Sequence, residues 1–170
     1  LGGITQSVMD IRRSAEFLAA QPNVDRNRIG VCGISLGALV GSLAVGVDGH
    51  FPRAALVLGG GDLVRMIQAH SREVRQINEF MQKNNIDETK LREMLEPIEP
   101  LTYIDRAGKG ETKFLLLNVR DDTVIPPECT QALAQRLPGA KTVWYDGDHN
   151  TMVWHIVDAV SKIQAFFRER

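Results

Sequence analysis

The sequence has few cysteines, no excess of charge of either sign and no long apolar run, and each of these absences excludes a class of protein. It has two cysteines, Cys32 and Cys129, too few for a disulfide framework and without the Cys-x-x-Cys or Cys/His spacing of a zinc site. A formal net charge of −1 removes the electrostatic case for nucleic acid as the main partner. No apolar run reaches the roughly 20 residues that cross a bilayer. The sequence therefore implies no metal, no organic cofactor, no nucleic-acid partner and no membrane span.

The remaining composition is that of an ordinary globular domain. Apolar residues make up 44% and charged residues 24% of the 170 residues, so we expect one domain with one core. The chain begins at Leu1 and not at methionine, so a signal peptide upstream of Leu1 would not be part of this sequence. Localisation is therefore left open between cytoplasm and secretion.

Short apolar runs alternate with segments of helical periodicity along most of the chain. The first segment with helical spacing contains Val8, Ile11, Ala15 and Leu18. The last one predicts a closing helix that packs one apolar face on the sheet: Val153, Ile156, Val157, Val160, Ile163 and Phe167. Four runs have the composition of buried strands: "RIGVCG", "AALVL" (54–58), "KFLLLNV" (113–119) and "KTVWY" (141–145). Strands that alternate with helices predict an α/β fold, a parallel doubly wound sheet with helices on both faces.

Between the second and third strands, residues 62–100 read as a helical insertion. Apolar residues recur there at helical spacing, and a second helix is predicted to start near Asp87, where Ile86 and Leu91 form a hydrophobic staple. We expect this insertion to lie above one edge of the sheet as a cap.

The stretch "RIGVCGISLGALVG" contains a Gly-x-Ser-x-Gly pattern formed by Gly33, Ser35 and Gly37. Alone it fits either a nucleophile on a sharp turn or a small hydroxyl in a glycine-rich bend. Two other loops that follow strands hold Asp121 with Asp122, and His149. Such loops meet at the carboxyl edge of a parallel sheet, and serine, acid and histidine follow one another in that order.

Three stretches together resemble the α/β-hydrolase superfamily, in its esterase, dienelactone hydrolase-like and prolyl-oligopeptidase-like branches. These are "NVDRNRIGVCGISLGA", "RDDTVIPP" and "DGDHN". The resemblance implies a triad of Ser35 as nucleophile, His149 as base and Asp122, four residues before Pro126, as the acid. Asp121 is then a solvated loop residue or a cap.

The same resemblance assigns backbone roles around the serine. The N–H of Leu36, at the start of the following helix, is expected to donate to the oxyanion. Gly33 and Gly37 are expected to let Ser35 sit exposed on its turn without side-chain clashes.

The chain departs from the superfamily pattern at its start, where it opens at the helix before the elbow strand. The strands that flank that strand, and the loop with the second oxyanion donor, are not in the sequence. Residues 1–170 are therefore expected to form a partial α/β-hydrolase domain, its C-terminal part, with 62–100 as a cap within it. We also expect an uncovered apolar sheet edge, through which the chain can self-associate.

These residues lead to two hypotheses of different classes. The first is a serine hydrolase that cleaves small, short-acyl carboxylic esters through an acyl-enzyme, with a serine peptidase or thioesterase of the same fold as its alternative. The second is a catalytically silent relative that binds a ligand or protein through the same pocket.

Other polar and aromatic residues receive structural interpretations. Asp146 and Asp148 are expected to form a turn. The glycines at 59–61 lack the Lys-Ser/Thr of a phosphate-binding loop. The remaining histidines and tryptophans are interpreted as structural, core or pocket-wall residues: His50, His70, His155, Trp144 and Trp154.

Overall fold

One parallel sheet organises the protein. The computed structural model describes residues 2–48, 50–108 and 112–169. Within them four strands pair in the order β1-β2-β3-β4, all parallel. Their bounds are β1 (Val31–Ile34), β2 (Arg53–Val57), β3 (Lys113–Val119) and β4 (Lys141–Tyr145). The four predicted strands are therefore confirmed.

Helices connect these strands and flank the sheet. Within the described ranges the α-helices are α1 (Gly2–Ala19), α2 (Leu36–Asp48), α3 (Leu63–Gln68), α4 (Arg75–Lys83), α5 (Glu88–Leu95), α6 (Pro100–Gly108), α7 (Pro127–Gln135) and α8 (Ile156–Arg168). Short 3-10 helices occupy Arg26–Arg28, Arg72–Val74, Glu96–Ile98 and Thr151–His155.

The two central strands are buried on both faces, which explains their nearly continuous apolar composition. Leu56 and Leu116 pack in one cluster with residues of α2, α6 and α7. Leu115 and Leu117 point to the opposite face and pack with residues of α8. The predicted α/β fold with helices on both faces is therefore confirmed.

The closing helix is buried over a narrower face than the sequence predicts. Met152, Ala159 and Phe166 are buried in the cluster that contains the inner residues of β3. Trp154, expected in the core or a pocket wall, is 80% exposed. The apolar stripe is wider than the sheet surface beneath it, so residues on its flank are 42% to 81% exposed: Val153, Ile156, Val157 and Val160.

The sheet edge at β1 carries apolar side chains that nothing covers in the described part of the chain. β1 pairs with β2 on one side and has no described strand on the other. Ile34 is 53% exposed, and Cys32 is exposed as well. This agrees with the expected uncovered apolar edge. Self-association through it stays a prediction.

The insertion has a small core of its own. Val64, Ile67 and Leu91 are buried together, and Ile86 packs against them. The carboxylate of Asp87 accepts the Lys90 N–H at 2.8 Å and caps α5. The predicted helix start is thus confirmed, whereas the role of 62–100 as a substrate cap stays a prediction.

The carboxylate of Glu99 joins the two ends of this insertion. Its Oε1 accepts the N–H groups of Asp62 at 2.9 Å and Leu101 at 3.0 Å. Its Oε2 accepts the N–H of Leu63 at 2.7 Å. One half-buried side chain therefore satisfies backbone donors at the starts of both α3 and α6.

We expect Glu99→Ala to lower the free energy of unfolding by about 3 kcal/mol, because charge-assisted hydrogen bonds are lost and backbone donors are left unpaired. Urea unfolding measures this change. Glu93→Ala is the control, since Glu93 makes an exposed ion pair with Lys90 worth less than about 1 kcal/mol. Equal losses in the two variants would contradict the role given to Glu99.

Candidate active site

Ser35 lies on the sharp turn between β1 and α2. Its φ of 54° is in the left-handed region, which costs a residue with a side chain about 1 kcal/mol or more. The surrounding bonds hold this conformation: the Ser35 N–H donates to the Val57 carbonyl at 2.8 Å, and its own carbonyl accepts from Ala38 and Leu39. The half-buried serine is thus fixed to β2 and to the first turn of α2.

The turn requires glycine at one of the two predicted positions. A Cβ atom at Gly33 would lie 2.1 Å from the Gly37 carbonyl oxygen, so any side chain there forces the turn apart. A Cβ at Gly37 would meet no atom within 4 Å. The expected need for space at Gly37 is therefore wrong for this structure: the close approach is made by its backbone.

The side chains of Ser35, His149 and Asp122 form one chain of hydrogen bonds. Ser35 Oγ lies 2.9 Å from His149 Nε2, and His149 Nδ1 lies 2.8 Å from Asp122 Oδ2. A carboxylate only accepts, so Nδ1 carries the ring proton and Nε2 is left to accept the serine hydroxyl proton. The structure thus brings together the three side chains singled out in the sequence.

Asp122 is the acid that faces the histidine, and its surroundings differ sharply from those of Asp121. The Asp122 side chain is 2% exposed, and its Oδ1 accepts the N–H groups of Val124 and Ile125, both at 2.8 Å. Asp121 is exposed, and its backbone N–H donates to Gly147 at 3.0 Å. The loop after β3 therefore holds Asp122 in place through its own backbone.

The first residue of α2 follows Ser35 directly. Leu36 is 61% exposed. Its N–H is one of the first N–H groups of α2, which have no acceptor within the helix. The positive end of the helix dipole lies at the same point. This backbone position suits a developing negative charge on an oxygen bound next to Ser35.

The thiol of Cys129 offers no competing nucleophile. Burial together with the charge of Asp62 raises the pKa of this thiol to about 12. Thiols react as thiolates, and with this pKa Cys129 is almost fully protonated at neutral pH. The hydroxyl of Ser35 is the group that faces a base.

The turn-forming role that the sequence predicts for Asp148 is confirmed, and the structure adds the bonds that shape the histidine loop. Asp148 Oδ1 accepts the N–H groups of Asn150 and Thr151, each at 2.9 Å. These bonds hold the pKa of Asp148 below its usual value, the Thr151 N–H having the largest effect. The spacing Asp-x-Asn-Thr is a recognisable signal for such side chain to backbone bonds.

The other histidines lie outside the triad. His155 stacks on Tyr145 with ring centroids 4.7 Å apart, and its Nε2 bonds the Asp146 carbonyl at 3.0 Å. His50 pairs with Asp48. His70 is exposed after the end of α3, with a φ of 53°. Among the described residues no group of three or more histidine, cysteine or acidic side chains is placed to bind a metal ion.

Comparison with known proteins identifies the family. The model of the prolyl oligopeptidase family matches residues 5–167, nearly the whole chain. The chain belongs to the prolyl oligopeptidase family. A curated relative from Mycobacterium tuberculosis, an uncharacterised protein, is 25% identical over 147 residues, which cover 86% of this chain and 34% of the relative.

Solved structures share the fold of this family member. Acetyl xylan esterase from Paenibacillus sp. R4 superimposes with a TM-score of 0.79 at 22% identity, over 95% of this chain and 52% of the esterase. A Mycobacterium tuberculosis puromycin-hydrolyzing peptidase superimposes with a TM-score of 0.75 at 20% identity, over 95% of this chain and 24% of the peptidase.

The lengths of these proteins set the scale of the match. The chain spans about a third of the curated relative and from a quarter to half of the two solved structures. Within the described part of this family member, no helix is both long and apolar enough to span a membrane.

Proposed function

We propose that this chain carries the catalytic triad of a serine hydrolase that cleaves carboxylic esters. The observation that carries the proposal is the continuous hydrogen-bond chain from Ser35 through His149 to the buried Asp122. A serine hydroxyl is a weak nucleophile until a base takes its proton. Here the base faces the hydroxyl, and the base is itself oriented by a carboxylate.

In the first half of the reaction, Ser35 Oγ attacks the ester carbonyl carbon and His149 Nε2 takes the hydroxyl proton. The tetrahedral intermediate then collapses, the carbon–oxygen bond to the alcohol breaks, and His149 returns the proton to the leaving alkoxide. Asp122 stabilises the imidazolium that exists between these steps. The acyl group remains on Ser35 as an ester.

In the second half, water takes the place of the alcohol. His149 removes a proton from the water, the hydroxide attacks the acyl carbon, and the bond to Ser35 Oγ breaks as the serine regains its proton. The N–H of Leu36 donates to the carbonyl oxygen in both tetrahedral intermediates. The products are a carboxylic acid and the free enzyme.

The proposed substrate is a short-acyl ester. The superposition on an acetyl xylan esterase over 95% of this chain supports an acetyl or similarly short acyl group. A peptidase is the second candidate, favoured by the family match and by the superposition on a puromycin-hydrolyzing peptidase. The triad performs the same steps in an esterase and in a peptidase. The two reactions differ in the leaving group, which is an alkoxide in the first and an amine in the second.

We expect the 170-residue chain to hydrolyse p-nitrophenyl acetate with a kcat/KM at least about tenfold above that for p-nitrophenyl octanoate. Aminoacyl p-nitroanilides, which carry an amide at the same position, should be cleaved more slowly than the acetate. Release of p-nitrophenol or p-nitroaniline measures all three. Faster cleavage of the anilides would establish the peptidase, and saturable binding of the acetate without turnover would favour a catalytically silent binding protein.

A further inference from the structure

We propose that Asp148 is a positioning residue that holds His149 between Ser35 and Asp122. This inference rests on the proposed function and concerns the loop after β4, where the side chain of Asp148 folds over the backbone that follows it. Within the described structure, no hydrogen bond joins the Asp148 side chain to Ser35 Oγ or to the ring nitrogens of His149. Its hydrogen bonds act on the histidine through the main chain, and its negative charge also interacts with the ring directly.

The bonds of Asp148 fix the backbone on both sides of His149. Its Oδ1 accepts the N–H groups of Asn150 and Thr151, which follow the histidine, each at 2.9 Å. Its own N–H, which precedes the histidine, donates to Thr151 Oγ1 at 2.7 Å. The Thr151 hydroxyl donates back to the Asp148 carbonyl at 3.0 Å. Asp148 and Thr151 therefore close a ring of bonds with His149 inside it.

A second set of bonds ties this ring to the loop that carries the acid. The N–H of Asp121 donates to the Gly147 carbonyl at 3.0 Å, and the N–H of Arg120 donates to the Tyr145 carbonyl at 2.9 Å. Gly147 has a φ of 109°, and a Cβ atom there would lie 2.3 Å from Thr151 Oγ1. The glycine thus leaves room for the threonine hydroxyl to reach Asp148.

The position of Asp148 separates this role from a general effect on stability. Its side chain is exposed and belongs to none of the four hydrophobic clusters, so its removal leaves the core intact. The triad bonds of 2.8 Å and 2.9 Å at His149 depend on the ring being held in one place. A displacement of about 1 Å in a reacting group costs on the order of a hundredfold in rate.

The test compares variants that keep or remove the acceptor and the hydroxyl. At pH 7 the Asp148 carboxylate is ionised, because its pKa is lowered from 3.8. We expect Asp148→Ala to slow fluorophosphonate labelling of Ser35 by at least about tenfold. Asp148→Asn keeps an acceptor oxygen and should label within about threefold of the wild type. Thr151→Ser keeps the hydroxyl and should likewise retain the wild-type labelling rate. Thr151→Ala removes the hydroxyl and should lose this rate.

The matched control is Asp146→Ala in the same loop. The Asp146 side chain is 95% exposed and pairs with Arg120 at 3.2 Å, away from the ring of bonds around His149. We expect its labelling rate and melting temperature to equal those of the wild type. For Asp148→Ala, the loss should appear in kcat for p-nitrophenyl acetate with KM little changed. The melting temperature should fall by no more than about 4 °C, the effect of losing one exposed cap of about 1 kcal/mol.

Proton NMR of His149 reports the positioning without any turnover. The Nδ1–H proton bonded to Asp122 should give a far-downfield resonance in the wild type, in Asp148→Asn and in Thr151→Ser. Asp148→Ala should lose it. Wild-type labelling and an intact resonance in Asp148→Ala would overturn the inference while leaving the proposed function standing. A wild type that shows the resonance but neither labels nor turns over would instead overturn the proposed function.

Discussion

Ser35→Ala lowers kcat for ester hydrolysis by on the order of 10⁵-fold or more, because the acyl group then has no oxygen on which to form an intermediate. His149 Nε2 loses the hydroxyl that it faces at 2.9 Å. The fold is retained, since an alanine side chain occupies less space on the turn than serine. Release of p-nitrophenol under saturating p-nitrophenyl acetate measures the loss.

Ser14→Ala is the control for this prediction. The Ser14 hydroxyl is exposed on α1 and donates to the Asp10 carbonyl within the same helix at 2.7 Å, so the variant should keep wild-type kcat. An acetate kcat for Ser35→Ala above about 1% of the wild-type value would show that another group is the nucleophile.

Asp122→Asn lowers kcat by on the order of 10⁴-fold. An asparagine can keep one oxygen facing the N–H groups of Val124 and Ile125, which leaves the loop in place. Its amide nitrogen then meets His149 Nδ1 and reverses the tautomer, so Nε2 carries the proton and no longer serves as the base. Steady-state kinetics together with thermal unfolding separates this effect from loss of folded protein.

Asp121→Asn should leave kcat within about twofold of the wild type. Asp121 is exposed, and its backbone N–H donates to the Gly147 carbonyl, a bond that the substitution preserves. A large loss in Asp121→Asn together with a small loss in Asp122→Asn would reverse the assignment of the acid.

The positions of the strands could be predicted from local sequence, whereas the exposure of residues on the helix that covers the sheet could not. β3 and β4 have the bounds that their apolar runs predict. In β3 the reason is burial on both faces, which leaves few polar residues inside the strand. The helix α8 shows where this reasoning fails. Its apolar residues have helical spacing, but the width of the surface beneath them depends on the sheet, so Val157 is 81% exposed and not buried.

The arrangement of the site was predictable because parallel strands bring their following loops to one edge. That rule placed Ser35, the pair Asp121 and Asp122, and His149 near one another from residues far apart in the chain, and the resemblance to the α/β-hydrolase superfamily then selected Asp122. It says nothing about the conformation inside each loop. The bonds of Asp148 and of Glu99 depend on that conformation, and they were recognised from the structure.

The most direct test of the account is to expose the 170-residue chain to a fluorophosphonate and locate the adduct by mass spectrometry. This probe reacts with a serine only where a base activates its hydroxyl. We predict a single adduct on Ser35, formed in the wild type and absent after Ser35→Ala. An unlabelled wild-type chain, or an adduct on any other residue, would contradict the claim that Ser35 and His149 form an active nucleophile.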